Sequence, residues 1–109
     1  MADERIVKLM SDYSAGWPLW SADEGLLAPD ALALSASLTA DLLAWQDLFE
    51  DEFHWDHGWR TPEAEARYAR TAPELLHHLR RELGPDVHVT LNAWPVTDPK
   101  LIAWLKHRH

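Results

Sequence analysis

The sequence predicts an α+β two-layer sandwich, two long helices packed on a small sheet of two to three strands. Three patterns carry this expectation. Leu38, Leu42, Trp45, Phe49 and Phe53 recur at helical steps of four and three. Thr61-Pro62, followed by Glu63 and Glu65, opens a second helix that closes at Gly84-Pro85. Val87, Val89 and Leu91 alternate with His88, Thr90 and Asn92, the period of a half-buried strand. If the strands pair in parallel, the helices form the crossover between them, and the fold is then a small α/β unit. The 109 residues are expected to form one domain, 1–109, with a single core.

Taken in order, Glu4–Ser11 contains RIVKLM, a β-branched and apolar run suited to a buried strand. Asp12–Pro29 reads as loop, punctuated by Gly16-Trp17-Pro18, Gly25 and Pro29. Its Pro18-Leu19-Trp20 is expected to tuck over the core, since a loop rarely exposes such a cluster. Two strands alone are marginal, so a third strand from residues 13–21 or a homodimer partner is expected to extend the sheet.

The first long helix starts after Ser35, a good N-cap, and runs to about Phe53. The second buries Tyr68, Ala72, Leu75, Leu76, Leu79 and Leu83, with a kink or restart expected near Arg70–Pro73. Arg80 and Arg81 sit suitably near its negative end. A strand spans Asp86–Trp94 and stops at Pro95. Asp98-Pro99 then caps a short helix carrying Leu101, Ile102, Trp104 and Leu105.

Composition excludes several functions. There are no cysteines, hence no disulfide framework, thiolate metal site or thiol nucleophile. Apolar runs are too short to span a membrane, and MADERIVKLM lacks a basic flank before a long apolar run, so a cytoplasmic location is expected. The net charge of −8 is distributed unevenly. Residues 9–59 hold ten acids and neither Lys nor Arg, whereas residues 60–109 hold eight bases against six acids. Such a field repels nucleic acid and attracts basic proteins.

Asp41–Arg60, DLLAWQDLFEDEFHWDHGWR, concentrates these features. His54, Asp56 and His57 are the residues whose side chains suit a divalent metal, with Asp51 or Glu52 one turn back. His-x-x-His converges only if the turn is helical, and a polar helix end explains the same residues without a metal. General acid–base work by these acids and histidines lacks a nucleophile partner, and there is no Gly-rich phosphate loop. No catalytic residue and no cofactor is therefore assigned. The third reading joins both oddities of the sequence, its acids and its seven tryptophans. Asp47, Glu50, Asp51, Glu52 and Asp56 would steer a protein partner with a basic surface, and Trp55 and Trp59 would anchor it. The plain alternatives are core tryptophans with solvated acids, or a structural homodimer.

Lys8–Trp20 (KLMSDYSAGWPLW), Leu32–Phe49 (LALSASLTADLLAWQDLF) and Arg80–Val89 (RRELGPDVHV) together resemble a family of small uncharacterised bacterial proteins, mostly actinobacterial. That resemblance spans most of the chain and implies no established activity and no catalytic residues. By analogy with small acidic proteins of this size, the expected function is that of an immunity-type inhibitor of a basic toxin or nuclease. A small metal-binding protein or metal-dependent enzyme is the alternative.

Overall fold

In the computed structural model, which describes residues 5–22 and 25–108, β1 (Arg5–Leu9) is the hub of the sheet. It pairs antiparallel with β2 (Leu19–Ser21) and parallel with β6 (Val87–Leu91). β2 in turn pairs antiparallel with β3 (Gly25–Leu26), giving the order β3-β2-β1-β6. The sheet is thus mixed and four-stranded, wider than the sequence pattern implies. Its β2 lies within the stretch that offered a third strand. β3 was unforeseen, because two paired residues leave no readable period.

The register explains which side chains are buried. Val7 lies opposite Val89 and Leu9 lies opposite both Leu19 and Leu91, so these side chains share one face. Val7, Leu9, Leu19 and Val89 are buried in the same cluster as the helices. The other face carries Lys8 opposite Trp20 and Thr90, and Ile6 opposite His88. Ile6 is exposed, so β1 is a half-buried strand rather than a fully buried one. One helical layer covers one side only, which is the physical reason for that correction.

Two long helices form the second layer. α1 (Ala36–Glu52) is capped by Ser35, whose hydroxyl accepts from the Leu38 N–H, and it buries Leu38, Leu42, Trp45, Gln46 and Phe49. α2 (Pro62–Leu83) is capped by Thr61 and buries Tyr68, Ala69, Ala72, Leu75, Leu76 and Leu79. It runs without a break across Pro73, so the expected restart is absent. Proline removes one backbone donor, but the buried stripe continues on both sides of it. The short α3 (Pro99–Lys106) is capped by Asp98, as its Asp-Pro start indicates. Its Leu105 is buried, whereas Ile102 faces outward.

Polar contacts join the layers. Trp45 stacks on Tyr68 with ring centroids 4.3 Å apart, and its Nε1–H donates to the Tyr68 carbonyl at 3.0 Å. Burial pushes the Tyr68 hydroxyl pKa up, and that hydroxyl donates to Ser11 Oγ at 2.8 Å. Glu65, nearly buried, accepts from the backbone N–H groups of Thr97 and Asp98 at 2.7 and 3.0 Å, which fixes the entry to α3. Arg80 Nη2 donates to the Val89 carbonyl at 2.9 Å, covering part of the open edge of β6. Among the described residues no helix is long and apolar enough to cross a membrane.

Candidate protein interface

α1 ends at Glu52, and the chain then reverses in a small hairpin. β4 (Phe53–His54) pairs antiparallel with β5 (Gly58–Trp59), joined by Trp55, Asp56 and His57. Gly58 has φ 76°, the left-handed conformation with which a three-residue hairpin loop rejoins its strand. Arg60 N–H extends the pairing by donating to the Glu52 carbonyl at 2.8 Å. The histidine-bearing turn is therefore β-like and not helical.

That geometry is not the helical turn on which the metal reading of His54, Asp56 and His57 depended. His-x-x-His converges on a helix, whereas here the two imidazoles stack on each other with centroids 4.9 Å apart. His54 Nδ1 already accepts the Asp56 N–H at 3.1 Å, and His57 Nε2 lies 3.8 Å from Asp56 Oδ2. Among the described residues no group of three or more His, Cys, Asp or Glu side chains is placed to hold a metal ion.

The two tryptophans proposed as anchors differ. Trp55 at the hairpin tip is 74% exposed. Trp59 is half-buried: its ring packs against Phe53 and Tyr68 at 5.2 and 5.0 Å, and its Nε1–H donates to the Pro95 carbonyl at 2.8 Å. Trp59 thus fastens the hairpin to the core, and Trp55 is the ring that projects.

The acids form a continuous exposed edge leading to this tip. Asp47, Glu50 and Asp51 are exposed and none forms an ion pair among the described residues. Glu52 is partly covered and lies 3.7 Å from Arg60. Glu50, Asp51 and Glu52 occupy the last turn of α1, which contains no basic residue. Carboxylates there face the negative end of the helix dipole, an arrangement that costs roughly 0.3–1 kcal/mol for each exposed charge. A shallow cleft of about 470 Å³ lies between this turn and the hairpin, lined among others by Glu50, Asp51, His54, Trp59 and Arg60.

Sequence periodicity missed other surface and core features. Gln46 is fully buried in α1, where its Nε2 donates to the Asp12 carbonyl at 2.9 Å. Tyr13 and Trp94 are both exposed and come together from opposite ends of the chain, their centroids 5.9 Å apart. No one-dimensional pattern links residues so distant.

Fold and surface together define a small α+β protein with an acidic helix end and a projecting tryptophan, and without a metal-binding cluster among its described residues. The chain belongs to the Serratia CdiI immunity protein-like family, whose model matches residues 5–93. That match contains all three stretches behind the resemblance to a known family, and it gives that family an immunity protein-like description. No curated protein matches the chain.

Proposed function

We propose that the protein is an immunity-type inhibitor that binds a toxin bearing a basic surface. The contact face is the distal half of α1 with the hairpin that follows: Asp47, Glu50, Asp51 and Glu52 attract, Trp55 and Asp56 meet the partner at the tip, and Trp59 holds that tip in place. Membership of the immunity protein-like family supports a toxin as the partner. The single observation that carries the location is the last turn of α1, where Glu50 and Asp51 oppose the helix dipole with no basic residue in that turn and no ion pair among the described residues. Positions that break a local folding rule without internal compensation are expected at functional sites. A basic partner would supply the missing compensation.

The test uses the toxin isolated with this protein from its native host, and the double variant Glu50→Lys/Asp51→Lys. Reversal removes the clash with the helix dipole, so the free variant melts no lower than wild type. Association at low ionic strength slows by on the order of tenfold, and the difference shrinks with added salt, because screening acts over ~10 Å at 0.1 M. Equal association rates for both proteins at low salt would make the acidic edge a solvated surface and end this reading.

A further inference from the structure

Tyr13, Phe53 and Trp94 come from three separate segments: the loop after β1, the strand β4 and the loop after β6. Their centroids lie 5.9 Å apart for Tyr13–Trp94, 5.5 Å for Phe53–Trp94 and 6.3 Å for Tyr13–Phe53. All three stand on the fully buried Phe49, at 5.2 Å from Tyr13, 5.5 Å from Phe53 and 5.7 Å from Trp94. Tyr13 is 43% exposed and Trp94 39%, with Phe53 half-buried between them. The Trp94 plane crosses those of Tyr13 and Phe53 at 64° and 86°, so the rings offer faces in more than one direction.

This surface is preorganised. Trp94 Nε1–H donates to the Ser11 carbonyl at 2.6 Å, and the Tyr13 N–H donates to Asp12 Oδ1 at 2.8 Å. The Tyr13 hydroxyl has no hydrogen-bond partner among the described residues. A clustered, rigid aromatic patch of this kind is a typical site of protein contact.

We propose that the three rings form a seat for an arginine or lysine side chain of the toxin. The inference rests on the reading of the partner as basic and assigns a residue class to a second patch beside the acidic edge. Ring faces attract cations, and the charges nearby have the matching sign. Asp12 adjoins Tyr13, and its carboxylate is felt at the phenol, whose pKa is raised first by partial burial and then by Asp12. Glu50 and Phe53 line the same shallow cleft between the end of α1 and the hairpin. An aliphatic side chain would leave these carboxylates uncompensated, and an acidic one would be repelled. A guanidinium both stacks on a ring and pairs with a carboxylate.

The experiment is an NMR titration of the intact protein at low salt with a hexa-arginine peptide, against a hexaglutamate control. The Trp94 indole and Tyr13 ring resonances are expected to shift with hexa-arginine and to stay still with hexaglutamate. Tyr13→Phe should bind the peptide within about twofold of wild type, whereas Tyr13→Leu should bind about threefold more weakly, the scale of an exposed cation–π contact. Peptide that moves only the resonances of residues 50–59, or a Tyr13→Leu protein that binds as tightly as wild type, overturns the aromatic seat and leaves the acidic surface standing. Peptide that binds nowhere overturns both. Should Tyr13→Leu fail to fold, the wild-type shifts decide alone.

Discussion

Trp45 and Trp55 lie ten residues apart on one segment, yet the first is 2% exposed and the second 74%. Trp45 is enclosed between α1 and α2, stacked on Tyr68 and hydrogen-bonded to its carbonyl. Trp55 sits at the tip of a two-stranded reversal, where among the described residues only the His54 ring stacks beside it, at 5.8 Å. The comparison teaches that residue type sets the potential of a side chain, and the surrounding elements decide its use. Where helix packs on helix the indole stabilises the fold; where the backbone turns away from the core the same indole is free to meet a partner.

Replacing each ring should separate these roles. Trp45→Ala should produce the largest effect, a loss of about 3–5 kcal/mol in denaturant unfolding, because it leaves a cavity and removes a buried hydrogen bond. Small domains are stable by only about 5–15 kcal/mol, so this variant should sit near the edge of folding. A loss below about 1 kcal/mol would mean that Trp45 is not the centre of the core. Trp55→Ala should leave unfolding within about 0.5 kcal/mol of wild type. On the proposed function it should weaken toxin binding by about 2 kcal/mol, read mainly as faster dissociation. If it lowers the melting temperature by several degrees and leaves dissociation unchanged, the two rings have the same role and the contrast collapses.

The smallest effect concerns the other end of α1. Ser35 Oγ accepts from Leu38 N–H and donates to Glu82 Oε2 at 2.6 Å, and Ser35 N–H donates to Glu82 Oε1 at 2.7 Å. These bonds hold the Glu82 carboxyl below its ordinary 4.5, the hydroxyl contributing first and the backbone second. A carboxyl lowered on folding adds stability that is whole above pH 4.5 and disappears as pH falls through the folded value. Ser35→Ala should therefore cost about 1 kcal/mol through loss of the cap at neutral pH. Its deficit should narrow below pH 4.5, as followed by urea unfolding across that range. A deficit independent of pH would show that the Glu82 contact contributes nothing beyond the cap.

Much of this architecture was legible one residue at a time. Ser35, Thr61 and Asp98 all cap helices, because a side-chain oxygen reaching an N–H two or three residues on is a local event. The stripes of α1 and α2 and the alternation of β6 were equally readable, since one buried face imposes its period directly. The errors have physical causes too. A kink or restart was expected near Pro73; α2 does not restart there, since tertiary burial on both sides outweighs one missing hydrogen bond. The turn that carries His54 and His57 is a hairpin that sets them ring on ring, a geometry no helical period could have announced.

The uneven charge, the exclusion of cysteine chemistry and the position of acids in the final turn of α1 are properties of the chain order itself. They follow from spacing and charge, which need no partner element. The fates of the tryptophans do not. Trp59 is held by Pro95 and Tyr68, Trp94 by Ser11, and Tyr13 meets Trp94 across the whole length of the chain. Contacts between segments so far apart exist only once β1 and β6 pair in register and the helices pack into one core with the sheet. Burial is decided by what arrives from elsewhere in the chain, and for that reason the three-ring surface emerges only in the folded structure.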